Sequence, residues 1–317
     1  MQQGKALTSV SVSGHITIDM HSLNNEAGEG NQIQTRMVHI VDGEGKLQVV
    51  NGISGDMFKH IQAEHLQAIA SEDGRVPLCA GCQRFSANRI NDDTAFIEGL
   101  TKETRNTALL DRVIQHCAMD DLEGILITVG NRSAPRKSTI EFGWVVGLPE
   151  STRTESYFHV KYDPAGRGAG SGDQTGANVG QNIFYRPASS GIYAVVLNLD
   201  LYRVGWNDIS RQHAVDDTQL HLRKRMLLES MLYTFLKPTG AHRNTQHPHI
   251  LDFNGVISWS HTMMPAPVIS PLNGKYREQT GQIVEKLNRI DSDAVRATSF
   301  DSSADFAGLV ADLLERV

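Results

Sequence analysis

The sequence predicts an α+β fold, a split βαβ core of ferredoxin-like order carrying large insertions. Three observations lead there. From Val10 to Met20 every even position is apolar except Gly14, the period of a strand with one buried face. Two stretches, within residues 52–74 and 218–236, set apolar side chains at helical spacing. The order strand, hairpin, helix, further strands, second long helix and final strand is that of the split core.

After the first strand a second alternating run, Ile33 to Ile40, turns over "DGEG" (Asp42 to Gly45) into "KLQVV", which reads as a hairpin. Ser54 caps the first helix, whose apolar face holds Met57, Phe58, Ile61 and Ile69. Lys59 lies nearly opposite Ile61 and is expected to point outward. Residues 78–106 are polar and irregular, and Asn106 to Met119 reads as one helix. "GILITVG" and "STIEFGWVVGL" follow as strands, the second with Ile140, Phe142, Trp144, Val146 and Leu148 on one face. Strands "SYFHVKY" and "GIYAVVLNLDL" flank "DPAGRGAGSGDQTGANVGQN", too rich in glycine to pack a core of its own. The second long helix carries Leu220, Leu227, Leu228, Met231 and Phe235 on one stripe and ends at "KPTGAHRN". A strand, "HILDFNGVIS", and two C-terminal helices complete the chain.

With 317 residues, 40% of them hydrophobic, the chain can bury a substantial core. No window approaches the roughly 18 apolar residues of a membrane span, and the N-terminus lacks a basic flank before an apolar run. A cytoplasmic protein is the expectation. Three cysteines are no disulfide framework, and the formal charge of −6 gives no global attraction for nucleic acid, so any such site must be local. Neither dinucleotide nor phosphate-loop glycine patterns occur in the glycine tract. The serine-hydrolase elbow, the cysteine-protease signature and the H-E-x-x-H helix are also missing, which lowers the expectation of an enzyme.

Cys79 and Cys82 in "LCAGC" have the C-x-x-C spacing of a zinc knuckle. No second C-x-x-C is present, so further ligands to a structural zinc would come from residues such as Cys117, His116, His60 or His65. The alternative is a pair of loop cysteines with no ligand, and no other cofactor is expected.

Several segments suit a phosphate backbone. Ser54 and Gly55 open a helix whose first amides can bind an anion, with Lys59 and His60 one turn along. "NRSAPRK" offers Arg132, Arg136 and Lys137, and "GAHRN" offers His242 and Arg243 after a helix end. The exit of the first strand supplies His21, Ser22, Asn24 and Asn25, short donors able to approach sugar and phosphate without reading bases.

These residues resemble a known family. "SGHITIDMHSLNN", "ISGDMFKHIQ", "EGILITVGNRSAPRKSTIEFGWVVGLPE", "FHVKYD", "IFYRPASSGIYAVVLNLDL" and "GAHR", in order, are similar to the DevR-like backbone subunit of CRISPR Cascade surveillance complexes, a guide-RNA-binding RAMP superfamily protein. The resemblance implies one elaborated domain over residues 1–317: an RRM-like palm, a helical finger insertion at about 71–120 and a β-hairpin thumb at about 159–186. It implies noncatalytic copies stacked head to tail on crRNA, target DNA engaged through the guide, and a large subunit, an RRM-like cap subunit and a guide-processing nuclease as further partners. His159 and Lys161 match the stretch that opens the thumb, and the other basic residues above match the family's backbone contacts. The stacking aromatics of an ordinary RRM are not evident on the candidate strands. A second reading is a metal-dependent RNA-cleaving backbone subunit using Asp19, Glu26 or Glu29. A third, transcriptional control, lacks a helix-turn-helix.

Overall fold

The computed structural model describes residues 6–23, 25–29, 32–100, 104–128, 133–162, 181–240 and 244–317. The chain opens with β1 (Ser9–His21), β2 (Asn25–Glu29), β3 (Gln32–Thr35), β4 (Met37–Val41) and β5 (Leu47–Ile53). Helix α1 (Gly55–Asp73) leads into the short helices α2 (Ala80–Gln83), α3 (Thr94–Glu98), α4 (Asn106–His116) and α5 (Ala118–Glu123). Strands β6 (Ile125–Ile127), β7 (Ala134–Arg136), β8 (Ile140–Phe142), β9 (Val145–Tyr162) and β10 (Gln181–Leu199) follow. The last third holds β11 (Trp206–Asn207), β12 (Gln212–His213), α6 (Asp217–Leu236), β13 (His249–Ser260), α7 (Tyr276–Leu287), β14 (Val295–Phe300) and α8 (Ser303–Leu314).

The expected α+β class is found. The main sheet runs β14-β13-β1-β10-β9-β5-β4, antiparallel at each step. Its inner face takes Val10, Val12, Ile16 and Ile18 of β1 into one core with Phe58 and Leu66 of α1, Leu227, Met231 and Phe235 of α6, and Phe306 and Val310 of α8. Gly14 breaks the apolar alternation because a Cβ there would meet Asn254 O at 2.7 Å and the Phe253 ring at 2.9 Å. It lies opposite Gly255, and the space the two glycines leave is filled by Phe253 and Phe300, whose rings sit 5.1 Å apart.

The other face of β1 is also covered. Ser9, Ser11 and Ser13 are buried although the pattern predicts them on an open face. The segment after β13 lies across them. Ser11 Oγ donates to Ala266 O (3.1 Å), Ser258 Oγ to Pro267 O (2.6 Å), and His15 Nε2 reaches Pro271 O (3.1 Å) while its ring meets Tyr276 edge-on. Small hydroxyls pay little entropy to be ordered and let a backbone approach closely, which suits a strand layered on both sides.

Three expectations change in detail. The single helix at 106–119 is two, because Cys117 leaves helical geometry (φ −147, ψ 118) and caps α5 by accepting from Asp120 N. The strand expected at 138–148 breaks after β8, and its second part fuses with the next expected strand into β9. The strand β14 was not foreseen. The hairpin across Asp42 forms, with Asp42 Oδ1 accepting from Glu44 N (3.0 Å) and Lys46 N (2.9 Å).

Strands β9 and β10 form a long ribbon, paired from Ala194 and Val146 out to Gln181 and Tyr162. Its base carries a register shift at Gly191, whose φ of +146 and 2.1 Å approach of a built Cβ to Ser151 O admit only glycine. The glycine-rich residues 163–180, between the two strands in sequence, lie outside the described residues.

Arg136 corrects a sequence expectation. It is 3% exposed and points into the protein, not toward solvent. Its Nη2 donates to Asp121 Oδ1 (2.7 Å) and Arg203 O (2.6 Å), its Nη1 to Trp206 O (2.8 Å), and its Nε to Asp121 O (3.1 Å). Asp121, also buried, accepts from Arg223 Nη1 of α6 (2.9 Å) and Gly205 N (2.9 Å). Removing one charge from such a network strands the others away from water. Asp121→Asn is therefore expected to lower the unfolding free energy by about 3–5 kcal/mol, read as a fall in the urea midpoint at unchanged m-value.

Candidate nucleic-acid interface

Helix α1 begins where the sequence places it. Ser54 is extended (φ −65, ψ 148) and its side chain accepts from Met57 N at 3.2 Å. Gly55 is required by the fold rather than by an incoming anion, because a Cβ there would stand 2.6 Å from Phe142 O. One turn along, Lys59 is half-buried instead of pointing freely outward. Its Nζ donates to Glu123 O at 3.1 Å, and burial draws its pKa below the ordinary lysine value.

Two adjoining clefts meet at Asp56 and Lys59. One is lined by Ser54, Lys59, Lys137, Glu141 and Trp144, the other by Lys59, His60, Phe85, Arg89 and Glu123. Ser54, Lys59, His60 and Lys137 are thus brought together. Lys137 is exposed beside its partner Glu141 (3.1 Å), an ion pair worth little in water. His60 is exposed, with its ring 5.4 Å from Phe85. Arg89, which sequence reasoning missed, donates from Nη1 to Gly124 O on the cleft wall. Glu123 is buried with both carboxylate oxygens lacking a hydrogen-bond partner, and burial raises its pKa. Trp144 was expected on one strand face with Ile140, Phe142, Val146 and Leu148. The break at Gly143 turns it out, 45% exposed, with Arg36 over its ring at 5.4 Å.

The exit of β1 behaves differently from expectation. His21 is buried, and its Nε2 lies 2.8 Å from Tyr193 OH, which itself donates to Asn51 Oδ1 (2.9 Å). That chain makes Nε2 the donor and leaves Nδ1 facing Leu23 N. Burial drives the His21 pKa down to about 4, so it is a neutral structural residue and not a cationic contact. Ser22 is buried too, donating to Pro187 O at 3.1 Å. Asn25 starts β2, and Lys161 lies near the end of β9. Asn24, Arg132, His242 and Arg243 lie outside the described residues. Gly240, just before the last two, packs on both Leu23 and Met57, with a built Cβ 3.0 Å and 3.2 Å from their side chains. The strand exit and the post-α6 turn therefore meet the first turns of α1 on its Ile61 side, nearly opposite Lys59.

His159 stacks on Phe184 across the ribbon (5.5 Å, 9°), and Arg186 covers the same ring at 4.9 Å before donating to Thr245 Oγ1 (2.9 Å). On the other side Phe158 and Tyr185, 57% and 40% exposed, meet edge-on at 5.9 Å. Exposed aromatics thus lie on the ribbon. Their signal in the sequence was "YFH" opposite "FYR". Of the acidic candidates for metal-dependent cleavage, Asp19 belongs to no cluster able to hold an ion among the described residues. The side chains of Glu26 and Glu29 lie outside the description. Among the described residues no helix is long and apolar enough to cross a membrane.

Because the His21 pKa lies below its unfolded value of 6.5, the unfolded chain takes up a proton that the folded protein refuses until about pH 4. Its contribution is whole above pH 6.5 and is lost as pH falls through that window. Between about pH 7 and pH 5 the wild type should lose about 2 kcal/mol more stability than His21→Gln, measured by denaturant unfolding at both values.

Residues 12–281 match the family model described as CRISPR-associated negative auto-regulator DevR/Csa2. No curated protein matches the chain. A solved chain described as a CRISPR RNA-guided surveillance complex, pre-nicking, superimposes with a TM-score of 0.51 at 14% identity, covering 96% of this chain and 100% of that one. Another, described as a CRISPR RNA-guided surveillance complex, gives 0.50 at 12% identity over 96% and 99%. At these identities the likeness is one of fold.

Proposed function

Because the chain belongs to the CRISPR-associated DevR/Csa2 family, we propose that it is a noncatalytic crRNA-binding backbone subunit of a type I Cascade effector, polymerising along the guide and presenting it to target DNA. The observation that carries this reading is the meeting of two separated segments beside the start of α1, where Lys59 and His60 of the helix and Lys137 of the β7 exit line joined clefts.

In this reading the sheet core is an RRM-like palm, its strand order β13-β1-β10-β9 being that of the split βαβ unit. The helical segment from α2 to α5 serves as fingers, and the β9–β10 ribbon as a thumb. The sheet face on which an RRM stacks bases is covered here by the segment through Ala266 and Pro271. RNA then runs past the sheet, along the helix start, held by phosphate contacts that carry no sequence information. This suits a subunit that must accept any guide, since base pairing supplies the specificity. The aromatic ribbon reaches a neighbouring copy, giving the open heterologous contact that a filament needs. A large subunit, a cap subunit and a guide-processing nuclease complete the assembly.

Mixed with crRNA, the protein should form a ladder of multimers in sizing and native gels, dissolved by salt. Lys59→Ala and Lys137→Ala should each reduce the slope of log affinity against log salt by roughly 0.7, the contribution of one single-strand phosphate. Arg296→Ala, on β14 at the far sheet edge, should leave it unchanged. A chain that stays monomeric with RNA at low salt, or slopes identical to wild type for both lysine variants, would overturn the reading.

A further inference from the structure

The C-x-x-C turn does not stand alone. Cys79, Cys82, Cys117 and Asp120 are all buried, and their ligating atoms lie within 4.8 Å of one another. Two pairs with identical spacing, Cys79/Cys82 and Cys117/Asp120, face each other from different helices. In each pair the first residue caps its short helix through sulfur. Cys82 N donates to Cys79 Sγ (3.3 Å), and Asp120 N points at Cys117 Sγ (3.5 Å). Amides directed at sulfur stabilise a thiolate more than a thiol.

We propose that Cys79, Cys82, Cys117 and Asp120 bind a structural zinc ion that fastens the α2 turn to the α4–α5 junction. A tetrahedral site with Zn–S near 2.3 Å and Zn–O near 2.1 Å has S···O edges of about 3.6 Å. The Cys79 and Cys82 sulfurs lie 3.3 and 3.6 Å from Asp120 Oδ2. Asp120 Oδ1 is buried with no hydrogen-bond partner, so half of this carboxylate is unsatisfied by protein groups. Without an ion, three sulfurs and a carboxyl group share one dry space. A divalent cation resolves that arrangement, and the closed set of four protein ligands marks the site as structural. The three sulfurs favour zinc over the hard cations magnesium and calcium.

The turn is built for this approach. Between its cysteines Gly81 passes so close to Arg89 that a Cβ would stand 1.8 Å from its carbonyl oxygen. Cys82 and Met119 also line the cleft that holds Lys59, His60 and Arg89. The ion thus braces one wall of that cleft from behind without entering it. His116, a ligand candidate by sequence, instead pairs with Asp93 (2.9 Å). His65 reaches Lys237 O (2.8 Å), and His60 faces the cleft beside Phe85.

The full chain, purified under reducing conditions without chelator or histidine tag, should contain about one zinc per chain by elemental analysis. A mercurial thiol reagent should release it. Cobalt substitution should give the charge-transfer band of sulfur ligation and the visible bands of tetrahedral geometry. Cys117→Ala should lose most of the metal. Should that variant fail to fold, Asp120→Cys still decides: it should retain zinc, and its cobalt charge-transfer band should grow with the added thiolate. Substoichiometric zinc in the wild type both before and after reconstitution, with no cobalt–thiolate band, overturns the site. A cobalt spectrum unchanged in Asp120→Cys overturns the four-residue ligand set. These readouts need no RNA, so they stand apart from the test of guide binding.

Discussion

The buried carboxylate of Asp121 organises the part of the molecule on which the groove depends. It joins α5, where it resides, to Arg136 of β7, Arg223 of α6 and the amide of Gly205. Charges taken out of water are tolerated only where geometry returns most of the lost solvation, and they penalise every arrangement that separates them. The network therefore dictates one docking of the helical insertion on the core. It also decides where Lys137 goes. In β7 and its exit, burial alternates, with Ala134 and Arg136 inside and Pro135 and Lys137 outside. Holding Arg136 inward leaves its neighbour on the cleft wall opposite Lys59.

That alternation explains why a run of bases in the sequence was only partly informative. "NRSAPRK" has three positive charges and no acid, and composition alone makes all of them look solvated. The partner that internalises Arg136 comes from a different helix, and a strand of three residues shows no readable period. His21 was obscured in the same way. A histidine at a strand end reads as a polar contact until Tyr193, far along the chain, is seen to fill its hydrogen-bonding capacity. By contrast the α1 cap, the hairpin at Asp42 and the apolar face of β1 were legible, because each rests on residues within a few positions. The buried serines of β1 were not, since the segment covering them lies some two hundred and fifty residues away.

The cysteines show a further limit of local reading. The Cys79/Cys82 spacing announces one half of a four-point cluster. The other half ends in an aspartate, so it matches no pattern built on sulfur and histidine alone. Its clue was the cap at Cys117, which interrupts what otherwise reads as one uninterrupted helix. Where a helical pattern breaks without glycine or proline, a side chain with another task is a good explanation.

Gly191 and its bulge set the bearing of the β9–β10 ribbon. Outward of that bulge Ser22 holds Pro187 O, Arg186 holds Thr245 and Tyr185 pairs with Gln32, so the ribbon keeps its bearing before its outer part stands clear of the body. In the proposed filament, a glycine at the root and pins along the shaft would make this projection a fixed strut that sets the spacing between successive copies.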